Sequence, residues 1–514
     1  MALSNTVVFQ VKRREPELIV PDKPTPNEIK PLSDIDDHAG VRFLVPIIFF
    51  YPGKSSHDPV HVIRKGLGEA LVFYYPFAGR IFEGADKKLM VNCNSQGVVF
   101  VEANANIKIE QLGDRIFPPC PYMDEFMCPA PDSGGIIGCP LLFFQVTRFI
   151  CGGFALGIRL NHTIADGYGL MLFLNTIAEL TKGRCSTPST PPVWQRQLLK
   201  ARSPPRITRT HYEFDNFTST TKSKAIPDHK LVRTSVHFGP REIQSLRNRA
   251  QNRHCTKYEL IVACLWKCRT IALEIDHNDT VRFSGIVNVR DVKLGMNFPI
   301  GYYGNAFVYP AAISKAGTLT SSPLSYALDL IQRAKKQVDE EFVRSTADLM
   351  VIRGRPKYGT PLNFIVSDIR SLGFDKLDLG WGKPLYGGVP WASQDISFCN
   401  NIEGENDGVV SICLPPLALD KFRFELRNMT TLMRGTLDSL FWEVSSGRKP
   451  RSPTAKIYHP IPKCKYVQSD LPQRSSGSNL LLGRSKAQAL GPRSVPLRMV
   501  QLAHHLKFKY HLHL

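Results

Sequence analysis

His162 and Asp166 have the side-chain types and the spacing that general acid–base chemistry needs. His162 directly follows an apolar stretch, residues 154–160, that predicts a buried strand, and residues 168–180 predict a helix. Asp166 would lie at the start of that helix, where a carboxylate is favourable, and Gly167 leaves the backbone open to close approach. An imidazole at the end of a strand can take a proton from a hydroxyl group near neutral pH. A core histidine beside an aspartate cap is the alternative that this spacing leaves open.

The elements that position this histidine are predicted from apolar periodicity and turn residues. A hairpin over residues 141–160, with Gly152 and Gly153 supplying positive φ angles at its turn, leads to the candidate base. Thr256 and Glu259 form a capping-box pattern at the start of a helix. The remaining predicted elements are helices at residues 62–71, 256–272 and 324–342, strands at residues 89–93, 97–102, 232–238, 283–290 and 306–311, and a helical stretch that ends near residue 432.

Strands and helices are interspersed in both halves of the chain, which predicts an α/β fold. The 514 residues are enough for two domains of ordinary size. Between the halves, residues 181–205 are rich in Ser, Thr and Pro, which is typical of a linker between domains. A long surface loop within one domain is the alternative.

The composition is that of a soluble globular protein, with 43% apolar and 21% charged residues. No apolar run approaches the roughly 20 residues needed to span a bilayer. Because Lys12, Arg13 and Arg14 follow the first apolar residues, the start does not resemble a secretory signal, and we expect a cytoplasmic protein. The 12 cysteines are scattered without a zinc spacing, so buried free thiols are expected and no metal site is predicted.

The net charge of +20 raises the question of nucleic-acid binding. Much of this charge lies in residues 431–514, which hold 14 Lys and Arg against 3 Asp and Glu. No basic helix or basic stripe with interleaved aromatic residues is present in the sequence, so we expect no nucleic-acid partner. A mildly basic body suits an anionic co-substrate instead.

Five segments together resemble the plant BAHD acyltransferase family, whose members transfer an acyl group from coenzyme A to an alcohol or amine. The two main motifs are HTIADG at residues 162–167 and DLGWGKP at residues 378–384. Three supporting segments lie at residues 74–80, 288–290 and 301–305. The order of these segments along the chain makes the resemblance specific.

The resemblance covers about residues 5–430 and departs from the family in two places. The run LSDIDD at residues 32–37 is similar to the alcohol acyltransferases that make volatile esters, including benzyl alcohol benzoyltransferases and methanol anthraniloyltransferase. Leu379 replaces the family's usual phenylalanine, which preserves an apolar side chain. The sequence beyond about residue 432 does not resemble the family.

The resemblance implies an α/β fold of two chloramphenicol-acetyltransferase-like domains with mixed sheets and a channel between them. We expect an N-terminal domain at residues 1–182 and a crossover linker at residues 183–222. A C-terminal domain would follow at residues 223–444. Residues 445–514, which are basic and lack apolar periodicity, are expected to be a disordered tail.

The resemblance also assigns roles around the first motif. His162 is the expected catalytic base, which deprotonates the acceptor so that it can attack the thioester carbonyl. Asp166 is expected to orient the motif by pairing with Arg290, and Gly167 belongs to the same orienting group. A His162–Asp166 catalytic dyad is the alternative.

The second motif has two interpretations. Family accounts place Asp378 with the catalytic residues, and we include it with His162 as a catalytic candidate. With Gly380, Trp381 and Gly382 it also looks like a tight loop that shapes the channel from outside the chemistry. Ser367 matches a position whose hydroxyl faces the reacting carbonyl in relatives, which makes it an oxyanion candidate. An ordinary serine at the end of a strand is the alternative.

The implied reaction uses acyl-CoA as co-substrate and a small alcohol as acceptor, without a metal or a permanently bound cofactor. We expect a monomer without a membrane span. Two alternatives remain: a family member that acylates an amine or a larger alkaloid or terpenoid hydroxyl, and a non-catalytic relative that acts as a protein partner in lipid elongation.

Overall fold

In this computed structural model, the described residues are 7–53, 57–130, 136–183, 186–216, 230–251, 253–358, 362–402 and 405–431. The predicted tail, residues 445–514, lies outside them, as do residues 217–222 of the predicted linker.

The N-terminal half contains strands and helices that lead to His162 and continue beyond it. Its strands and helices are β1 (Val11–Arg13), β2 (Glu17–Ile19), β3 (Glu28–Pro31), β4 (Leu44–Tyr51), α1 (Pro59–Phe73), β5 (Arg80–Glu83), β6 (Leu89–Cys93), β7 (Val98–Ala105), α2 (Ile109–Leu112), α3 (Met123–Phe126), β8 (Leu142–Phe149), β9 (Phe154–Asn161) and α4 (Gly167–Thr181).

The C-terminal half continues with a similar mixture. Its strands and helices are β10 (Val232–His237), α5 (Pro240–Arg249), α6 (Lys257–Ala272), β11 (Thr280–Gly285), β12 (Val287–Asn288), β13 (Phe307–Val308), β14 (Ala311–Lys315), α7 (Ala316–Ser321), α8 (Leu324–Lys336), α9 (Glu340–Ile352), β15 (Asn363–Asp368), β16 (Tyr386–Gly388), β17 (Ile396–Ile402), β18 (Glu405–Leu414) and α10 (Pro416–Thr430).

The sheet that carries the candidate base has the order β1-β7-β8-β9-β4-β16, with β2 also paired to β7. Strands β7 and β8 are parallel, whereas β9 is antiparallel to both β8 and β4, so the sheet is mixed. Strand β16 comes from the C-terminal half and pairs with β4, with Tyr386 opposite Phe50. The C-terminal half therefore completes one edge of the N-terminal sheet.

The second large sheet has the order β10-β18-β17-β15-β11-β14 and is also mixed. Its central strand β15 runs parallel to both β11 and β17, and the other pairs are antiparallel. Helix α6 lies in the core of this half because twelve of its sixteen residues are buried, including Trp266. Two mixed sheets covered by helices agree with the predicted α/β class.

Most predicted elements are present within one to three residues of their expected ends. The hairpin and the helix after it are β8, β9 and α4, as predicted. The Thr256 hydroxyl accepts a hydrogen bond from the Glu259 amide at 3.1 Å, which confirms the capping box. At the hairpin turn Gly152 has a φ of +82°, but Gly153 is not among the residues of positive φ, so that part of the prediction was wrong.

Three predicted elements are interrupted. The strand expected at residues 283–290 is two strands, β11 and β12, and the strand expected at residues 306–311 divides before Ala311. The helix expected at residues 324–342 is two helices, because Asp339 caps the start of α9 by accepting a hydrogen bond from the Phe342 amide at 2.7 Å. Apolar periodicity continues across each break and does not reveal it.

Two compositional predictions concern the cysteines and the membrane. The ten cysteines of the described residues are free, and eight of them are buried, which confirms buried thiols as their main state. Among the helices that the structure describes, none is long and apolar enough to cross a membrane.

Candidate active site

His162 lies at the first position after strand β9, where the backbone leaves the sheet. Its amide N–H donates to the carbonyl oxygen of Phe43 at 3.0 Å, which holds the residue beside the start of strand β4. The imidazole is half-buried between two aromatic rings, with its centroid 5.2 Å from that of Phe43 and 5.8 Å from that of Phe307. The side chain is thus restricted in orientation by packing as well as by its backbone.

The hydrogen bonds of Asn305 determine which ring nitrogen of His162 carries the proton. Asn305 Nδ2 donates to the carbonyl oxygen of His162 and to Asp36 Oδ1, both at 2.8 Å, and these atoms can act only as acceptors. Asn305 Oδ1 must therefore face His162 Nδ1, 3.0 Å away, and accept its hydrogen. In a neutral ring this leaves Nε2 with its lone pair free to accept a proton.

Burial favours the neutral form of this imidazole. Removal from water lowers the pKa of His162 below its usual value of 6.5, even though its own backbone, Asp166, Asn305 and Asp36 act in the opposite direction. The ring is therefore neutral at pH 7, which is the form that a general base needs.

The carboxylate of Asp36 supports Asn305 and the motif around His162. Its carboxylate is fully buried and accepts hydrogen bonds from the Ser33 hydroxyl at 2.7 Å and from the Asn305 amide N–H at 2.9 Å. Arg196 Nη1 lies 3.1 Å from each carboxylate oxygen, so the buried negative charge is paired. Arg196 Nη2 also donates to the carbonyl oxygen of Ile164, inside the HTIADG motif, at 2.7 Å.

Three functional residues of this network were not predicted individually. Asn305 and Asp36 lie in segments that support the family resemblance, which was the available signal for them. Arg196 belongs to the segment predicted as a linker, and its composition gave no sign that one side chain would be fully buried in the site. Arg196 and Asp36 are 160 residues apart in the sequence, and a local pattern cannot predict a contact over that separation.

Asp166 caps helix α4 and joins two loops. Its Oδ1 accepts a hydrogen bond from the Gly169 amide at 2.9 Å, and its Oδ2 accepts one from the Ala306 amide at 3.1 Å. Arg290 donates to both carboxylate oxygens, at 2.8 and 3.0 Å, so the expected Asp166–Arg290 pair is present. Because the hydrogen bond of the His162 ring goes to Asn305, the alternative of a direct His162–Asp166 dyad was wrong.

Two glycines in the first turn of α4 allow the motif to pack closely against the C-terminal half. A Cβ atom on Gly167 would lie 2.6 Å from Leu372 Cδ1. A Cβ atom on Gly169 would lie 2.1 Å from the carbonyl oxygen of Tyr303, which is impossible without movement of the backbone. Gly169 was not predicted, although it stands two residues after Gly167 in the sequence.

Asp378 is occupied by its own loop. Its Oδ1 accepts hydrogen bonds from the amides of Gly380 at 2.9 Å and Gly382 at 2.8 Å, and Lys182 Nζ lies 3.0 Å from its Oδ2. Partial burial would raise the pKa of Asp378, but these amides and Lys182 outweigh it and lower the pKa. Gly380 and Gly382 have φ angles of +109° and +77°, which favour glycine and permit the tight loop.

The apolar residues of the same loop enter the N-terminal core. Leu379 and Trp381 are buried there, and the Trp381 ring packs edge-to-face on Phe154 at 5.1 Å. The Tyr51 hydroxyl donates to the carbonyl oxygen of Leu377 at 2.8 Å. The DLGWG motif therefore attaches the C-terminal half to the core of the N-terminal half.

Ser367 lies in strand β15, opposite Phe398 of strand β17, and is half-buried. Within the described residues its hydroxyl makes no hydrogen bond to protein. A cleft of about 360 Å³ lies elsewhere, beside the end of α4, and His162 is not among the residues that line it. Its lining residues are Leu172, Asn175, Thr176, Ala178, Glu179, Lys182, Thr190, Lys376 and Asp378.

The whole region that contains these sites matches a known family and known relatives. The model of the Transferase family matches residues 9–429. The chain is 49% identical over 437 residues to alcohol acyltransferase 17 of Actinidia deliciosa, covering 83% of this chain and 94% of that protein. It is 47% identical over 439 residues to benzyl alcohol O-benzoyltransferase of Petunia hybrida, covering 83% of this chain and 95% of that protein.

Solved structures show the same architecture. Vinorine synthase superposes with a TM-score of 0.63 at 23% identity, over 82% of this chain and 99% of its own. F. sporotrichioides TRI101, in complex with coenzyme A and T-2, superposes with a TM-score of 0.60 at 15% identity, over 77% of this chain and 97% of its own. The fold is thus that of two chloramphenicol-acetyltransferase-like domains, and the chain belongs to the Transferase family of BAHD acyltransferases.

Proposed function

We propose that this acyltransferase moves an acyl group from acyl-CoA to the hydroxyl group of a small alcohol, with His162 as the general base. The observation that carries this proposal is the hydrogen bond from His162 Nδ1 to Asn305. It leaves Nε2 as a neutral acceptor in a half-buried position, which is what removal of a hydroxyl proton requires.

The names of the relatives support the choice of substrates. Alcohol acyltransferase and benzyl alcohol O-benzoyltransferase both take an alcohol as acceptor by their names, and they are 47–49% identical to this chain. TRI101, which has the same fold, binds coenzyme A. As the family resemblance implies, we propose that acyl-CoA and the alcohol bind at opposite mouths of a channel between the domains, with His162 between them.

In the proposed reaction, Nε2 of His162 takes the proton of the alcohol while the alcohol oxygen bonds to the thioester carbonyl carbon. The carbonyl π electrons move to oxygen and form a tetrahedral intermediate. As they return, the carbon–sulfur bond breaks, and the coenzyme A thiolate takes the proton back from the imidazolium. The products are an ester and free coenzyme A, and the base is regenerated.

The network around His162 would stabilise this transient imidazolium. The positive charge would be shared with Nδ1–H, which donates to Asn305, whose amide group donates in turn to Asp36. Hydrogen bonds polarise one another in a buried chain, so the Asp36 carboxylate supports the charge without contacting the ring. We assign Asp36 and Asn305 as positioning residues for this step.

The remaining candidate residues are assigned roles from the contacts that they make. We propose that Asp166, Arg290 and the DLGWG residues hold the two halves in register, and that Asp378 acts through its loop instead of touching substrate. Ser367 stays an oxyanion candidate on the strength of its position in the family pattern. We retain residues 1–182, 183–222 and 223–444 as the domains and crossover of this proposal.

The test is a donor-by-acceptor screen with the purified full-length protein. Acetyl-CoA, hexanoyl-CoA and benzoyl-CoA are combined with short alcohols, benzyl alcohol, a polycyclic alcohol and a primary amine, and both thiol release and ester formation are measured. We expect ester from small alcohols in the parent protein and little in His162→Ala.

Three outcomes would contradict the proposal. Amide as the main product would indicate an N-acyltransferase, and turnover confined to the polycyclic alcohol would indicate a larger acceptor. No turnover with any pair would favour a non-catalytic relative.

A further inference from the structure

A second histidine, His38, lies in the segment that follows the buried Asp36. The ring is buried, with 2% of the residue exposed, and its Nδ1 accepts a hydrogen bond from the Gly40 amide N–H at 3.1 Å. Close packing fixes this geometry, because a Cβ atom on Gly40 would lie within 3 Å of His38 Cε1 and of the Tyr358 ring. The Nδ1 atom of His38 is therefore already in use as an acceptor.

The remaining ring nitrogen must be a donor. Burial lowers the pKa of His38 to about 3, with smaller contributions from His162 and Arg42, so the ring is neutral in ordinary buffers. A neutral ring that accepts at Nδ1 carries its hydrogen on Nε2. This N–H meets no hydrogen-bond partner among the residues that the structure describes. His38 is consequently a fixed donor and not a second base.

Aromatic side chains connect His38 to the candidate base. Its ring packs edge-to-face on Phe214 at 6.4 Å and on Tyr309 at 5.9 Å. The Tyr309 ring contacts that of Phe307 at 5.2 Å, and Phe307 contacts the His162 ring at 5.8 Å. Phe214, Tyr309 and Phe307 belong to one buried cluster, so the two histidines border the same aromatic compartment.

We propose that His38 is a specificity-determining residue whose Nε2–H binds an oxygen atom on the substrate group that reacts at His162. The walls of this compartment are aromatic, which suits an aryl or other flat apolar group. One fixed donor among such walls suits a hydroxyl, methoxy or carbonyl oxygen on that group, because each of these oxygens can accept its hydrogen bond. This inference rests on the proposed acyl transfer and adds the class of substrate.

The oxygen could belong to the acyl group or to the alcohol, and the experiment separates these sources. One arm compares benzoyl-CoA with its 2-, 3- and 4-hydroxy derivatives at a constant alcohol. The other arm compares benzyl alcohol with its 2-, 3- and 4-hydroxy derivatives at a constant acyl-CoA. In each arm the measured quantity is the ratio of kcat/KM for the hydroxylated substrate to that for the plain one.

We expect at least one hydroxylated isomer to be favoured by the parent protein. His38→Phe keeps a ring but removes the donor, so this preference should fall roughly three- to tenfold, the usual effect of one hydrogen bond. His38→Gln keeps a donor and should retain more of the preference. His61→Phe, at an exposed position of helix α1, is the matched control and should leave the ratio unchanged.

Two results with His38→Phe would overturn this inference. If His38→Phe is folded but its ratios equal those of the parent in both arms, His38 does not bind substrate oxygen. A uniform loss on plain and hydroxylated substrates would likewise show a merely structural role. If His38→Phe does not fold, the ratio is read from His38→Met, which also lacks the donor, and an unchanged ratio in that variant counts against the inference. Absence of turnover in the parent overturns the proposed function itself.

Discussion

His162 and Asp378 both form hydrogen bonds to neighbouring groups, but these bonds leave one side chain available and engage the other. At His162 the ring uses Nδ1 for its hydrogen bond to Asn305, and Nε2 is left available. At Asp378 two backbone amides and Lys182 occupy the carboxylate. His162 thus keeps one ring nitrogen without a protein partner, whereas both carboxylate oxygens of Asp378 accept hydrogen bonds within the loop or from Lys182. The family's two motifs therefore need not share the chemistry.

The largest expected effect tests this contrast at the base itself. His162→Ala should lower kcat by about 10²–10⁴, the usual contribution of a general base. The melting temperature should stay close to that of the parent, because the ring is half-buried and Asn305 keeps its bonds to Asp36. Turnover near that of the parent in a folded His162→Ala protein would sink the proposed mechanism.

Asp36 provides the next test, because it supports the site by charge. In Asp36→Asn, the Arg196 guanidinium stays fully buried without a carboxylate, and loss of one member of such a pair typically costs about 3–5 kcal/mol of unfolding free energy. Denaturant unfolding measures the loss. The matched control is Asp395→Asn, whose pair with Lys357 is partly exposed and should contribute less than about 1 kcal/mol. Equal losses in the two variants would mean that Asp36 does not carry the buried charge.

The Asp166–Arg290 pair should behave as one unit. Asp166→Ala and Arg290→Ala should each lower stability, and a double-mutant cycle should give a coupling of about 0.5–3 kcal/mol because the side chains share two hydrogen bonds. Activity should fall with stability, since Asp166 also holds the Ala306 amide next to Asn305. Additive losses, with no coupling, would show that the two side chains act separately.

Asp378 should give a smaller and purely structural effect. Asp378→Asn keeps an oxygen for the amides of Gly380 and Gly382, whereas Asp378→Ala removes it. We expect about 1–2 kcal/mol lost in the alanine variant and less in the asparagine variant, with kcat of the folded enzymes within about twofold of the parent. A kcat lowered by orders of magnitude in both variants would instead restore Asp378 as a catalytic residue.

The sequence predicted the parts of this molecule that depend on local pattern or on family motifs. The hairpin, helix α4 and the cap at Thr256 follow from periodicity and cap residues. Of the three interrupted elements, the long helix breaks where the Asp339 cap starts α9 within a continuing apolar pattern. Such breaks depend on which neighbours an element meets, and those are set by tertiary packing.

The Asp166–Arg290 ion pair was predicted and is present, whereas His162 as the base stays a prediction. The contacts that define the tautomer of the His162 ring were not predicted. Arg196 lies 160 residues from Asp36 in the sequence, and no spacing rule connects them. The entry of strand β16 and Trp381 into the N-terminal sheet and core is equally nonlocal. Most of these residues lie in family motifs, but a motif does not predict which residues each side chain contacts.

The smallest expected effect concerns the pH dependence and compares the two regions directly. Because burial lowers the pKa of His162 below 6.5, the neutral base persists below that pH, and the acid limb of kcat/KM should have its midpoint under 6.5. The free energy of unfolding should depend on pH in the same direction. His162 binds a proton more readily in the unfolded chain, so it lowers stability as the pH falls below 6.5. The charge of Asp166 raises the pKa of His162, so Asp166→Asn should move the limb to still lower pH. Asp378→Asn should leave it in place, because Asp378 is not among the groups that shift the pKa of His162. A limb that moves equally in both variants would mean that the two regions are electrostatically linked and that their separation into base and scaffold is wrong.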